Sequence, residues 1–258
     1  MDPPRRVAFT EIAALRGPSF RPGLLDEIWA LGDLSGLARP CVAVVGTRAA
    51  TPYGRRVAHR FAAELGAAGC CIISGLALGI DAAAHEGALA AGASTIGVLG
   101  SGHSRFFPRR NEPLAKRMLL AGGAVLSPFT AECRAYPHQF LERNAVVAGL
   151  ADALVVIEAP ARSGALNTAG WAAGNIPVFA VPGDVDRPHV QGCHALIRDG
   201  ATLARNAGDV LAQLRITSAA TQLPLTMPQA RDPLHAAILA ALREGERSAD
   251  ELAEALEV

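Results

Sequence analysis

Residues able to do acid–base chemistry are concentrated in one stretch, residues 73–85, which reads ISGLALGIDAAAH. The pattern predicts a strand that ends near Ser74, a glycine-containing turn, and a helix that carries Asp81 and His85. These last two side chains are four residues apart and therefore share one helix face. Catalysis would also need a nucleophile or a metal ion, and Ser74 does not stand in the G-x-S-x-G pattern of a nucleophile elbow. The pattern favours a pair that holds a binding crevice in shape, with catalysis as the alternative.

An arginine in the stretch VVGTRAATPYG, residues 44–54, predicts a contact with an anion. The stretch lacks the G-x-G-x-x-G spacing of a dinucleotide-binding turn, and the chain has no G-x-x-x-x-G-K-[ST] phosphate loop. Arg48 instead follows Gly46 and Thr47 at the end of a strand, where a guanidinium can bind phosphate in bidentate fashion. The helix that begins near Gly54 would direct its N-terminal N–H groups to the same place. A surface arginine paired with a carboxylate is the alternative.

Loops after several predicted strands contain glycine and serine near the start of a helix. Free N–H groups and the helix dipole attract anions at such positions. Asn144 stands beside Arg143 in the segment HQFLERN, and the helix start after residue 162 equally fits a plain N-cap. The loop and first-turn residues predicted to bind are Ser74, Gly75, Gly100, Ser101, Gly102, Asn144, Ser163, Gly164, Asn167 and Thr168.

Basic residues are interleaved with phenylalanines in two segments. Residues 102–117 read GHSRFFPRRNEPLAKR and hold five basic residues around Phe106 and Phe107. Residues 138–144 read HQFLERN and offer Phe140 beside Arg143. Single-stranded nucleic acid needs cations for its phosphates and aromatic rings for its bases, so the pattern indicates such a ligand. A solvated charged loop that covers its phenylalanines is the alternative for residues 102–117.

Short apolar runs alternate with helical patterns along most of the chain. The runs have the continuous Val/Ile/Leu character of parallel strands covered on both faces. This alternation predicts an α/β fold with a doubly wound, mostly parallel sheet and a ligand crevice beyond the carboxyl ends of the strands. The predicted strands are 41–46, 70–75, 94–100, 123–127, 153–159 and 177–183, and the predicted helices are 54–68, 79–91, 111–122, 143–150 and 164–174.

Four segments are predicted from composition. Residues 1–40 form a short helical lead-in whose apolar face includes Ile28, Trp29 and Leu31, and residues 41–215 form the α/β domain. Residues 216–232 are low in charge, contain two prolines and fit a linker. Residues 233–258 predict two helices, the second starting at a capping box of Ser248 and Glu251.

Charge and cysteine content narrow the class of protein. The net charge is zero over 258 residues, but residues 42–215 hold 16 Lys/Arg against 12 Asp/Glu, a net of +4. The five cysteines form no C-x-x-C pair, so most are expected to be buried small hydrophobes rather than disulfides or zinc ligands. No run is apolar enough to span a bilayer, and the opening MDPPRRVAFTE lacks a signal peptide's apolar core, so we expect a soluble cytoplasmic protein.

Seven blocks together resemble a known family. VAVVGTR, ISGLALGIDAAAH, TIGVLGSG, FLERN, ARSGALNTA, VFAVPG and GCHALIRDGA resemble, in this order, the signature blocks of the DNA-processing protein A family (DprA, also called Smf). The resemblance covers about Gly32 to Leu214. It implies an extended Rossmann-like domain, a homodimer, and binding of single-stranded DNA without cleavage. It further implies protection of incoming DNA and loading of the RecA recombinase in natural transformation and recombination.

The resemblance also assigns roles to individual residues. Arg48 matches the arginine of the family's G-S-R turn, which binds phosphate there, and Phe140 matches a base-stacking aromatic. Residues 233–258 resemble the start of the family's C-terminal winged-helix module, incomplete before its reading helix. The departures are Ala145 in place of the second arginine of R-N-R, Ala165 and Asn167 in the S-G-S-L-I-T-A block, and His194 in the block that reads GCN.

Two other functions compete with single-strand binding. A Rossmann-like hydrolase could cleave a phosphorylated small molecule, which would require a closed pocket with a poised acid or base. A scaffold that binds the recombinase with little DNA affinity would follow if the basic residues were scattered. We expect a non-enzymatic protein with no catalytic residue, metal ion or cofactor.

Overall fold

The computed structural model describes residues 3–17 and 27–216. Nine strands form one sheet in the order β1-β2-β6-β5-β4-β3-β7-β8-β9. All neighbours from β6 to β9 are parallel, whereas β1 pairs with β2, and β2 with β6, in antiparallel fashion. The strands are β1 Arg5–Ala8, β2 Glu27–Gly32, β3 Cys41–Gly46, β4 Cys71–Ser74, β5 Thr95–Val98, β6 Ala124–Ser127, β7 Ala153–Ile157, β8 Val178–Ala180 and β9 Thr202–Leu203.

Helices cover both faces of the sheet, because its central strands are apolar on both sides. Within β3, Val42 and Val44 belong to the core under α2, α3 and α8, while Ala43 and Val45 belong to the core under α1, α5, α6 and α7. The helices are α1 Phe9–Arg16, α2 Pro52–Ala67, α3 Ile80–Ala90, α4 Glu112–Leu120, α5 Pro137–Gly149, α6 Gly164–Ala172, α7 Gln191–Arg198 and α8 Ala207–Gln213. The predicted doubly wound, mostly parallel α/β sheet is therefore confirmed.

The N-terminal segment is not the helical lead-in that its apolar residues predicted. Among the residues described there, α1 and a short 3-10 helix at Ser35–Ala38 are helical, whereas β1 and β2 extend the sheet at its β6 edge. Ile28 and Ala30 are buried, whereas their neighbours Trp29 and Leu31 are only half-buried. This alternation has the period of a strand with one covered face, so sheet pairing decided the structure over local helix preference.

The chain reverses its direction of winding between β3 and β7. β4, β5 and β6 follow on one side of β3, and β7, β8 and β9 lie on the other. A crevice opens beyond the carboxyl ends of the strands at such a point. It is framed here by the loops that lead into α2, α3 and α6 and by the start of α5, which begins six residues before the predicted position.

Four of the five cysteines, Cys41, Cys70, Cys71 and Cys193, are buried, and all five are free thiols, which confirms the prediction that most act as small hydrophobes. Burial raises the pKa of Cys70 and of Cys193 to about 11. Apart from Ile216, the predicted linker 216–232 and the predicted helical module 233–258 lie outside the described residues. Within residues 3–17 and 27–216, no helix has the length and apolar character needed to cross a bilayer.

Candidate functional site

A cleft of about 590 Å³ occupies the point where the strand order reverses. Its walls come from the end of β3, the β4–α3 loop, the first turns of α5, and the loop before α6. Ten of the fifteen predicted binding residues line it: Gly46, Thr47, Arg48, Gly75, Phe140, Arg143, Asn144, Ser163, Gly164 and Thr168. Segments separated by more than a hundred residues in sequence thus meet in one cleft.

Arg48 and Phe140 are in direct contact at the mouth of this cleft. The guanidinium carbon of Arg48 lies 4.9 Å from the centre of the Phe140 ring. Phe107 packs on the same ring at a tilted angle, with 5.8 Å between ring centres. Within the described part of the chain, Arg48 has no carboxylate partner, so the alternative of a surface ion pair is not what the structure contains. The site therefore combines an exposed cation with an aromatic pair.

Arg143, by contrast, is a buried cation beneath the cleft. Its side chain donates to the carbonyl oxygen of Val98 at 2.5 Å and to that of Gly75. A Cβ at Gly75 would lie 2.3 Å from this guanidinium, so glycine is required there for arginine to fit. Burial lowers the pKa of Arg143 to about 10, opposed by the charge of Asp81 and reinforced by that of Arg48. Arg143 therefore remains protonated at neutral pH and contributes positive potential to the cleft. Its N–H groups bind carbonyl oxygens at the ends of β4 and β5.

The Asp81 side chain binds the backbone of the β4–α3 loop that precedes it. Its carboxylate accepts hydrogen bonds from the backbone N–H groups of Gly75, at 3.1 Å, and Ala77, at 3.3 Å. Burial raises the pKa of Asp81, whereas Arg143 and these two N–H groups favour the ionised form. The glycine-containing loop is therefore not an open phosphate cradle, because its own aspartate already occupies these N–H groups.

His85 lies one turn beyond Asp81 and is completely buried. Its Nδ1 is 2.8 Å from the hydroxyl of Thr95, and that hydroxyl donates to the carbonyl oxygen of Ile72. Since the single hydroxyl proton goes to Ile72, Nδ1 must carry the imidazole proton and donate to Thr95. Burial, together with the nearby charge of Arg143, lowers the pKa of His85 to about 3. A neutral, inward-facing imidazole positions the helix and is not exposed to a ligand.

The start of α2 also differs from the prediction. The carboxylate of Glu158, which follows β7, accepts hydrogen bonds from the backbone N–H and the hydroxyl of Thr51. The same Thr51 hydroxyl accepts from the N–H of Gly54. A Cβ at Gly54 would lie 2.2 Å from the Glu158 carboxylate. The expectation that a bound anion meets these N–H groups is wrong, because an internal carboxylate already fills the position.

The start of α6 carries no such carboxylate. Ser163 lines the cleft, its hydroxyl is buried and has no partner among the described residues, and the first turn contains no acidic residue. Asn144 fixes this turn by donating to the carbonyl oxygen of Gly164 and to the side chain of Asn167, each at 3.2 Å. The N-terminal end of α6 therefore faces the cleft with its dipole uncompensated by a charge.

Five predicted residues do not line the cleft: Ser74, Gly100, Ser101, Gly102 and Asn167. Ser74 is fully buried and donates its hydroxyl to Val44 at 2.6 Å, and Ser101 is likewise fully buried, so neither hydroxyl can face a ligand. A Cβ at Gly100 would lie 2.6 Å from the Phe140 ring, so this glycine provides room for the aromatic side chain. Gly102 donates its N–H to Cys133 at 2.8 Å. These residues shape the cleft from below or from its side.

Arg162 is a cleft residue that sequence reasoning missed. It is exposed, lines the cleft immediately before Ser163, and belongs to the loop EAPARSG after β7. The signal was an arginine directly preceding a helix start at the carboxyl edge of the sheet. The charged residues of the lining are thus Arg48, Arg143 and Arg162 against Asp81, a net of two positive charges. In the part of the chain described, no three His, Cys, Asp or Glu residues stand close enough to hold a metal ion.

The sequence profile of the DNA recombination-mediator protein A family matches residues 23–215. The chain belongs to this family. Among curated relatives, the putative DNA processing protein DprA of Mycobacterium tuberculosis is 43% identical over 188 residues, covering 71% of this chain and 48% of the relative. The protein Smf of Escherichia coli is 40% identical over 185 residues, covering 71% and 50%. The chain thus spans about half the length of these relatives.

Solved structures of DprA proteins are similar in fold. DNA processing protein A from Streptococcus pneumoniae superposes with a TM-score of 0.72 at 33% identity, covering 81% of this chain and 74% of that one. A DNA processing protein A from Helicobacter pylori, whose structure concerns its single-stranded DNA binding mode, gives a TM-score of 0.68 at 28% identity, covering 76% and 91%. The resemblance to the DprA/Smf family is therefore confirmed.

Proposed function

We propose that this DprA family member binds single-stranded DNA in the cleft and does not cleave it. The observation that carries the proposal is the contact between Arg48 and Phe140 at the cleft mouth. A cation and an aromatic ring side by side match the alternation of phosphate and base along a single strand. The relative from Helicobacter pylori, which binds single-stranded DNA, supports the same ligand class for this chain.

Binding requires Arg48 to exchange partners. An exposed cation–π contact is worth ~0.5–1 kcal/mol, whereas a hydrogen bond to a charged group is worth ~1.5–3 kcal/mol. Moving the guanidinium from the Phe140 ring to a phosphate is therefore favourable, and it uncovers a ring face on which a base can stack. Arg162 and the uncapped start of α6 offer a second phosphate position across the cleft.

The wider role follows the family resemblance and is part of the proposal. It comprises a cytoplasmic location, protection of incoming DNA, and loading of the RecA recombinase during natural transformation.

The proposal also includes a homodimer built on the segment after β8. Leu196 and Ile197 of that segment pack partly against the core, whereas Leu203 is 42% exposed on the edge strand β9.

The direct test is fluorescence anisotropy of labelled oligo-dT at several salt concentrations, with unlabelled duplex as competitor. We expect saturable binding that weakens as salt increases and that duplex displaces poorly. Binding that duplex displaces as readily as single strands would contradict the proposal. Hydrolysis of a nucleoside monophosphate that Asp81→Ala abolishes in a folded protein would instead establish the rival enzyme.

A further inference from the structure

A second concave surface, about 670 Å³ in volume, adjoins the cleft on the other side of Arg48. It lies between α2, the start of α3 and the turn that precedes α4. Its basic lining consists of Arg48, Arg55, Arg56, His59 and Arg110, and we call it the arginine groove. Because Arg48 lines both spaces, the groove and the cleft lie next to each other at that side chain.

The positive charge of the arginine groove is not neutralised locally. The acidic residue in its lining is Glu86, whose carboxylate is already bound by Arg117. Arg55 donates one hydrogen bond, to the carbonyl oxygen of Ala50 at 3.3 Å. Within residues 3–17 and 27–216, Arg55, Arg56 and Arg110 form no ion pair. Neighbouring positive charges that have no counter-charge repel one another. An anionic ligand in the groove would reduce this repulsion between the arginine side chains.

The walls of the arginine groove are held by close backbone contacts. A Cβ at Gly87 would lie 2.1 Å from the carbonyl oxygen of His59, so α2 and α3 meet at this glycine. Gly79 has a positive φ of 85°, and a Cβ there would lie 2.4 Å from the carbonyl oxygen of Thr47. The start of α3 therefore packs closely against the loop that carries Arg48, and the basic side chains extend from a rigid backbone.

We propose that the arginine groove binds the phosphates of the same DNA strand as it leaves the cleft past Arg48. This inference rests on the proposed function and adds a path for the strand to it. The lining offers several arginines but, apart from Leu78, no large apolar side chain and no aromatic ring other than that of His59. Such a surface holds a phosphate backbone without reading bases.

The test compares short and long oligo-dT, from about 4 to about 16 nucleotides, the range of site sizes found for single-strand-binding domains. The variant replaces Arg55→Gln and Arg56→Gln together. We expect its affinity for the longest oligonucleotide to fall at least about tenfold, as for the loss of a charge-assisted contact. The salt slope should fall by about 1.4, since each phosphate contact on a single strand contributes ~0.7. Competition by the shortest oligonucleotide should stay unchanged.

The matched control is Arg60→Gln. Arg60 is exposed on the same helix, is paired with Glu64 at 3.9 Å, and does not line the groove. An equal loss for short and long oligonucleotides would indicate long-range attraction rather than contact and would overturn the inference. Unchanged binding of long strands, or a loss confined to duplex DNA or to an acidic protein partner, would overturn it as well.

Failure of this inference is distinguishable from failure of the proposed function. Arg48→Ala should weaken the binding of oligonucleotides of every length, because Arg48 lines both the cleft and the arginine groove. If Arg48→Ala has this effect and the double variant has none, the cleft binds DNA and the arginine groove does not. If no oligonucleotide binds the native protein, both proposals fail together.

Discussion

At the scale of single residues, Phe140 is the side chain whose role can be separated most cleanly from packing. It is half-buried, with Phe107 on one side, Gly100 beneath it and Arg48 over its ring. Phe140→Ala should weaken single-strand binding by ~1–3 kcal/mol per lost stacked base. Because the ring is only half-buried, the loss of stability should stay below the ~3–5 kcal/mol of a core phenylalanine. Anisotropy and thermal melting on the same sample measure both quantities.

Phe106→Ala is the matched control for this experiment. Phe106 is a neighbouring half-buried phenylalanine that packs on the small core of Leu76, Leu99 and Met118. We expect it to lower the melting temperature and leave DNA affinity near the native value. If Phe140→Ala instead melts far lower and binds DNA normally, Phe140 is a core residue and the base-stacking role is wrong.

A second residue-scale prediction concerns acid stability. The pKa of His85 is about 3 in the folded protein, against 6.5 for an ordinary histidine, because burial disfavours the cation. Between these values the unfolded chain binds a proton that the folded protein does not, so stability must fall as pH decreases from 6.5 towards 3. The slope from this residue reaches ~1.4 kcal/mol per pH unit.

The variant that tests this slope is His85→Asn, whose amide can still donate to the Thr95 hydroxyl. We expect it to be less stable than the native protein at neutral pH but to lose less stability on acidification to pH 4. Urea unfolding at several pH values provides the comparison. Parallel pH profiles for the two proteins would show that His85 is not the group responsible.

At the scale of elements, the helix starts around the cleft divide into occupied and open ones. Glu158 occupies the start of α2, Asp81 satisfies the loop before α3, and the start of α6 has no carboxylate. Glu158→Gln should destabilise the protein by ~1–3 kcal/mol, because hydrogen bonds to a charged acceptor are replaced by weaker ones. Chemical denaturation measures this loss.

Single-strand affinity of Glu158→Gln should stay within a factor of about two, since Glu158 serves α2 and does not line the cleft. Glu142→Gln, an exposed glutamate on α5, is the control for a change of net charge. A gain in affinity confined to Glu158→Gln would mean that the start of α2 does receive a phosphate and that our assignment of its N–H groups is wrong.

The sequence predicted the elements of the central sheet because buried parallel strands are continuous apolar runs. It did not predict β2, since the pattern of Ile28 and Ala30 is short and its partner β6 is nearly a hundred residues away. Of the ten cleft residues that were predicted, seven came from strand ends and helix starts, and Phe140, Arg143 and Asn144 came from the segment HQFLERN. The occupation of the start of α2 by Glu158 could not be foreseen, because Glu158 reaches Thr51 from a position 107 residues further along the chain.

At the scale of the whole molecule, the prediction is a homodimer that uses the β9 edge. Light scattering at micromolar concentration should give twice the mass of one chain, because a closed two-fold contact covers an open sheet edge. Leu203→Glu should shift the mass towards that of a single chain without lowering the melting temperature, since Leu203 is exposed. Leu120→Glu, on an 82%-exposed leucine at the end of α4, is the control. A native protein of single-chain mass would contradict the prediction.

The central claim, that the cleft holds a single strand with Arg48 on a phosphate, is tested most directly by titrating Arg48→Ala and the native protein with labelled oligo-dT across a salt series. We expect a loss of ~1.5–3 kcal/mol, equal for every sequence because phosphates carry no base information. The salt slope should fall by about 0.7, and Arg48→Lys should restore only part of the affinity. Native affinity with an unchanged salt slope in Arg48→Ala would show that the DNA does not bind in this cleft.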